Sequence, residues 1–223
     1  MGPQLVHMEE KTALQHICAP KTCKRQIDKE MTIAKYIKYG IYAILAMPTY
    51  IAAFKVGRSN TEFIDDLHIW QARTPCPFKS LFWVFTFLMA GYPPFRNITY
   101  FRLKRAKRGK FYRYIMPVQQ DIYLACEEEL GGGFYISHGY GTTINAQKIG
   151  KNFHAFQGVT LGQKDGGIPT IGDNVTIYAG AKVIGKVIIG DNVEIGANAV
   201  VLHDVPANSI AVGIPAVIKS KKI

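Results

Sequence analysis

From residue 171 the chain reads IGDNVT IYAGAK VIGKVI IGDNVE IGANAV VLHDVP, and an aliphatic residue returns at every sixth position: Ile171, Ile177, Val183, Ile189, Ile195 and Val201. Four residues after each stands a small or β-branched one: Val175, Ala181, Val187, Val193, Ala199 and Val205. The register holds upstream at Ile149, Ala155 and Leu161, with Phe153 and Val159 in the second slot. A surface helix needs a period of about 3.6 and a half-buried strand a period of about 2, so six fits neither. One inward aliphatic on each six-residue side is the pattern of a parallel β-helix, in which triangular coils stack and the aliphatic residues fill the axis. Gly172, Gly190 and Gly196 directly follow an inward residue, where the chain bends and a side chain would crowd the corner. Asn174, Asn192 and Asn198 suit the turns, because Asn tolerates left-handed backbone angles. After Leu161 the next inward position should be residue 167, but the pattern resumes at Ile171. The extra residues lie in GQKDGGIPT, which must bulge from a corner of the solenoid, where repeat proteins often place binding residues.

The repeat occupies only the second half of the chain. Residues 121–218 read as the β-helix, 219–223 as a short basic tail, 31–120 as a basic, apolar helical region, and 1–30 as a disordered or mis-started N-terminus. Charge divides the same way: residues 1–120 hold 19 Lys and Arg against 7 Asp and Glu, whereas residues 121–223 hold 8 against 9. The densest run is RLKRAKRGKFYR, 102–113, which suits phosphates or an anionic surface. No nucleic-acid-binding motif accompanies it, so no nucleic-acid partner is expected. The stretches YGIYAILAMPTYIAAF (39–54) and LFWVFTFLMAGYPPF (81–95) fall short of the roughly 20 residues that a spanning helix needs, and Pro48 interrupts the first. They read as buried or interfacial helices. Cys18, Cys23, Cys76 and Cys126 show no ligand spacing and read as reduced thiols in a cytoplasmic protein without a metal. The basic, apolar first half would suit peripheral contact with the inner, anionic face of a membrane.

HGYGTTINAQKIGKNFHAFQGVTLGQK, then PTIGDNVTIYAGAKVIGKVIIGDNVEIGANAVVLHDVP and AVGIPAVI, resemble the serine acetyltransferase family of hexapeptide-repeat acyltransferases, a group that includes sugar and polysaccharide O-acetyltransferase-like relatives. The likeness covers about residues 130–218. It implies a mainly β fold, a left-handed parallel β-helix after an α-helical N-terminal region. It also implies a homotrimer, acetyl-CoA as donor, and a site between neighbouring subunits. The match to the family's catalytic base is His138, in GFYISHGYG. An imidazole can take a proton from an acceptor hydroxyl and return it to the leaving thiolate.

The chain departs from the family pattern at three places. Ser137 stands where the family usually has Asp before the histidine. Ile168 stands where serine acetyltransferases place a second histidine in the protruding loop. The carboxylate that orients the base usually lies in an Asp-Ile-His-Pro segment, and Asp121-Ile122-Tyr123 matches that only across a two-residue gap. Asp121 is the first choice for this role and Glu128 the second. For acetyl-CoA the expected contacts are Gln157, Lys164, Ala179, Gly180, Gly185 and Ala197, with Lys219 and Lys221 near the phosphates. His154, just before the inward Ala155, is expected to face solvent or a subunit interface rather than take part in chemistry. The expected acceptor is a hydroxyl of a sugar or polysaccharide precursor. L-serine is the alternative, and a catalytically silent scaffold or binding module is the reading from another class.

Overall fold

The computed structural model describes residues 33–57, 61–105, 113 and 116–221. The segment 1–30, with Cys18 and Cys23, and residues 106–112 of the basic run lie outside the described residues. Among the described residues four helices come first: α1 (Ile33–Gly57), α2 (Thr61–Arg73), α3 (Leu81–Gly91) and α4 (Pro93–Arg105). Fourteen short strands, β1–β14 in chain order, follow from Ile122 to Ser220. They form three sheets, ordered β1-β3-β6-β9-β12, β4-β7-β10 and β2-β5-β8-β11-β13-β14. All pairings are parallel except β13 (Ser209–Val212) with β14 (Val217–Ser220). This is the parallel β-helix expected from the six-residue period, with the left hand that the family resemblance implies.

The inward rows follow the sequence register. Ile149, Ile171 and Ile189 line one sheet, Ala155, Ile177 and Ile195 a second, and Leu161, Val183 and Val201 the third. Each is essentially buried. Full burial of such a side chain contributes roughly 1.5–3 kcal/mol, so the axial column supplies most of the solenoid's stability. A Cβ added at Gly190 would lie 2.5 Å from the Ala207 backbone nitrogen, which explains why glycine follows the inward residue there. At the same corner Asn152, Asn174, Asn192 and Asn208 take positive φ and stack. Each Nδ2 donates to the next Oδ1 at 2.9–3.1 Å.

The insertion after Leu161 forms a tight hairpin, in which Lys164 and Gly167 exchange two backbone hydrogen bonds across Asp165-Gly166. Both turn residues have positive φ, as a tight hairpin turn requires. Lys219, placed in the tail by the sequence reading, sits in β14, where the chain folds back antiparallel and covers the edge of the last coil. Lys221 then donates to Glu194.

The helices pack as a layer against the first coil. α3 is apolar all round and buries Val84, Phe85, Leu88 and Met89, against Phe63, Trp70 and Phe95 of its neighbours. Pro48 does not end α1. Ala46, Thr49, Ala52 and Ala53 are buried in the helical layer, and this packing compensates for the hydrogen bond that proline removes. The outer side of α1 leaves Ile37, Ile41, Ile44 and Ile51 exposed. No described helix is long and apolar enough to cross a membrane.

A buried ion pair joins the two halves. Asp66 of α2 accepts from Arg102 Nε and Nη2, and Arg102 donates in turn to the carbonyls of Leu130 (3.1 Å) and Gly131 (2.7 Å). Asp66 Oδ1 also accepts from the Phe134 backbone N–H at 2.8 Å, and Trp70 Nε1 donates to the Phe134 carbonyl at 2.9 Å. The approach is close enough that a Cβ at Gly132 would fall 2.8 Å from Glu62 Cα. This docking carries the C-terminal end of α2, and Arg73 with it, onto the outer face of β2 and β5.

Candidate active site

His138 lies just after β2 (Tyr135–Ile136), at the corner that leads into β3 (Thr142–Ala146). Its side chain is exposed, and its φ of 62° is unusual for a residue other than glycine. Strained backbone of this kind collects at functional sites. Gly139 (φ 76°) continues the turn; a Cβ there would come within 2.5 Å of Ile122 Cδ1.

Asp121 is tied into the same turn. Its Oδ2 accepts from the Gly141 N–H at 3.0 Å, and its carbonyl accepts from Thr142 N–H at 3.1 Å. The Gly141 N–H holds the Asp121 carboxyl below the usual carboxylate range. α4 supports this arrangement from behind, because the Asn97 side chain exchanges two hydrogen bonds with the Gln119 backbone. Glu128 instead accepts from Gln147 Nε2 at 2.7 Å, at the far end of the strand from His138. Of the two carboxylates, Asp121 therefore shares the turn of His138 and Glu128 does not.

The residues expected to contact acetyl-CoA fall at two corners. Gly158 N–H donates to the Tyr140 carbonyl, Gly180 N–H to Gln157 and Asn198 N–H to Ala179, at 2.8–3.0 Å. Gln157, Ala179, Gly180 and Ala197 are thus stacked directly above the His138 turn. Small side chains leave the backbone of this corner open, which fits an extended ligand laid along it. Lys164 and Gly185 lie together at the next corner, where a Cβ on Gly185 would sit 3.3 Å from Lys164 Cβ. Lys219 is far along the solenoid, in its last strand. Lys182, not singled out from the sequence, donates to the Gly158 carbonyl at 2.6 Å and to Thr160 Oγ1 at 3.0 Å. It brings an ammonium group to the corner above His138.

His154 corrects the sequence expectation: it is 6% exposed rather than facing solvent. It lies under Arg73 and between Tyr135 and Phe156, with ring centroids 4.9 and 4.4 Å away. Arg73 Nη1 donates to His154 Nδ1 at 3.1 Å, and His154 Nε2 lies 3.4 Å from Ser137 Oγ. Burial, and then the Arg73 charge, push the His154 imidazole down to about 3. The unfolded chain takes up a proton near the ordinary histidine value of 6.5, while the folded chain resists it until about 3. Stability is therefore full above 6.5 and falls as the pH drops below it. Between about pH 7 and pH 5 the loss should be about 2 kcal/mol, and His154→Gln should flatten that slope. Denaturant titrations of both proteins at several pH values check this; parallel slopes would refute it.

Among known proteins, residues 168–203 match the family described as bacterial transferase hexapeptide (six repeats). The chain is 47% identical over 92 residues to a serine acetyltransferase of Bacillus licheniformis, covering 39% of this chain and 43% of that protein. It thus spans less than half the length of such curated relatives. A serine O-acetyltransferase structure from Brucella melitensis superposes with a TM-score of 0.58 at 28% identity, over 76% of this chain and 74% of that one. A serine acetyltransferase in complex with CoA shares the fold over 89% of this chain and 96% of its own, with a TM-score of 0.61 at 23% identity. The β-helix of this chain thus matches the hexapeptide-repeat transferase family over residues 168–203, and is similar in sequence and fold to serine acetyltransferases.

Proposed function

We propose that the chain is an acetyl-CoA-dependent O-acetyltransferase with His138 as its base. The observation that carries this reading is the placement of an exposed imidazole, in a strained turn, under a corner whose small residues leave the backbone open. Acetyl-CoA, when bound, supplies the acetyl group as an activated thioester. Gln157, Ala179, Gly180 and Ala197 are the residues placed to hold it beside His138. His138 accepts the proton of the acceptor hydroxyl as that oxygen becomes a nucleophile, and then returns the proton to the departing thiolate. Asp121 fixes the turn that presents the imidazole, through the Gly141 and Thr142 N–H groups. The exposed side of His138 leaves room for a second copy of the chain, in keeping with the expected homotrimer.

Of the two acceptors expected from the sequence, the names of the relatives favour L-serine over a saccharide hydroxyl. The test is release of free thiol from acetyl-CoA with L-serine or saccharides as acceptor. The expected result is serine-dependent release with KM in the ordinary micromolar-to-millimolar range. Release only with a saccharide would restore the other acceptor. The absence of both transfer and acetyl-CoA binding would favour a silent scaffold.

A further inference from the structure

Ser137, immediately before His138, is the outer end of a chain of three side chains drawn from two distant parts of the sequence. Arg73 ends α2, and its guanidinium lies over the Tyr135 ring, with Cζ 5.2 Å from the centroid. A guanidinium has only donors, so the contact of Arg73 Nη1 with His154 Nδ1 makes that nitrogen an acceptor. The neutral ring must then carry its hydrogen on Nε2, which faces Ser137 Oγ at 3.4 Å. Ser137 Oγ accepts there, and its own hydrogen is left to donate outward. Arg73 uses one N–H on His154 and is itself exposed, so further guanidinium donors remain for a ligand. The one acid on that face of the β2-β5-β8-β11-β13-β14 sheet among the described residues, Glu194, is two coils further along and is already paired with Lys221 and Tyr178.

We infer that Ser137 and Arg73, held in place by His154, form an anion subsite that binds a carboxylate on the acceptor whose hydroxyl His138 deprotonates. The inference rests on the transferase reading and adds to it a rule for the acceptor. The donors at the subsite are a hydroxyl and a guanidinium, which match a carboxylate, and neither group carries the negative charge that would favour an ammonium. An aspartate in place of Ser137 would offer the ammonium a negative partner; serine does not. A carboxylate with a nearby hydroxyl is therefore sufficient, and an α-amino group is not needed. L-serine and its amine-free counterpart glycerate both satisfy this rule. Serinamide, which keeps the amine and lacks the carboxylate, does not.

The experiment measures acetyl transfer to these three acceptors by the wild-type protein, Arg73→Gln and Arg73→Lys, alongside calorimetric binding of L-serine and glycerate. Wild type should use L-serine and glycerate with similar KM and use serinamide poorly. Arg73→Gln should raise KM for both carboxylate acceptors about 10–100-fold, the range for losing hydrogen bonds to a charged group, with the loss falling on KM rather than kcat. Arg73→Lys should recover part of it. Should Arg73→Gln fail to fold, Ser137→Ala reads the same subsite, with a KM increase of about 3–10-fold. An unchanged KM in these variants, a loss confined to kcat, or a preference for serinamide over glycerate would overturn the subsite. If wild type transfers acetyl to none of the acceptors but binds glycerate in an Arg73-dependent way, the subsite stands and the transferase reading falls. If transfer proceeds but does not depend on Arg73, the transferase reading stands and the subsite falls.

Discussion

Replacing His138 with alanine is expected to lower acetyl transfer by at least ~10²-fold, while the protein keeps its fold and assembly. The structure makes the two effects separable. The His138 side chain is exposed, so truncation removes little packing. Its backbone φ of 62° costs an alanine about as much as a histidine, because the clash is with Cβ, which both residues have. His138→Asn is the matching control, since asparagine tolerates this region better than most residues yet cannot act as a base near neutral pH. If the imidazole is the base, both variants should be similarly inactive although their backbones differ in strain. Initial rates of thiol release, with circular dichroism and sedimentation of the same samples, check the prediction. Near-normal turnover by the asparagine variant would mean that the turn geometry matters and the imidazole does not.

The legibility of this molecule in its sequence follows the range of its contacts. In the solenoid each inward residue packs on residues one coil away, so the constraint repeats at a fixed spacing and Ile171, Ile177 and Val183 announce their positions. The corner glycines and the turn asparagines Asn174, Asn192 and Asn198 are legible for the same reason. His138 could be found because its motif is local. His154 could not: its burial depends on Arg73, which is 81 residues earlier. No periodicity relates the end of a helix to a strand of a solenoid. A basic residue at the end of α2 reads as an ordinary helix terminus until the Asp66–Arg102 pair lays that helix on the first coil. The path of α1 through Pro48 is hidden in the same way, because packing in the helical layer offsets what local propensity disfavours.

That pair is the site of the largest expected loss of stability. Asp66→Ala should destabilise the folded protein by about 3–5 kcal/mol, the range for removing one partner of a buried ion pair. Asp66 is fully buried and Arg102 nearly so, which leaves the arginine without its main counter-charge and the Phe134 N–H without an acceptor. Glu62, 3.6 Å from Arg102 and partly exposed, is too weak a partner to compensate, and Glu62→Ala should cost well under half as much. Replacing both members, as Asp66→Leu with Arg102→Met, should recover only part of the loss. The double variant removes the stranded charge, but the carbonyls of Leu130 and Gly131 and the Phe134 N–H then have no partner across the junction. Urea titrations of the three variants and the wild type check the order. If the double variant regained full stability, the pair would be dispensable for joining helices to solenoid, and the position of Arg73 over His154 would have to rest on Trp70, through its hydrogen bond to Phe134 and its ring contact with Tyr135.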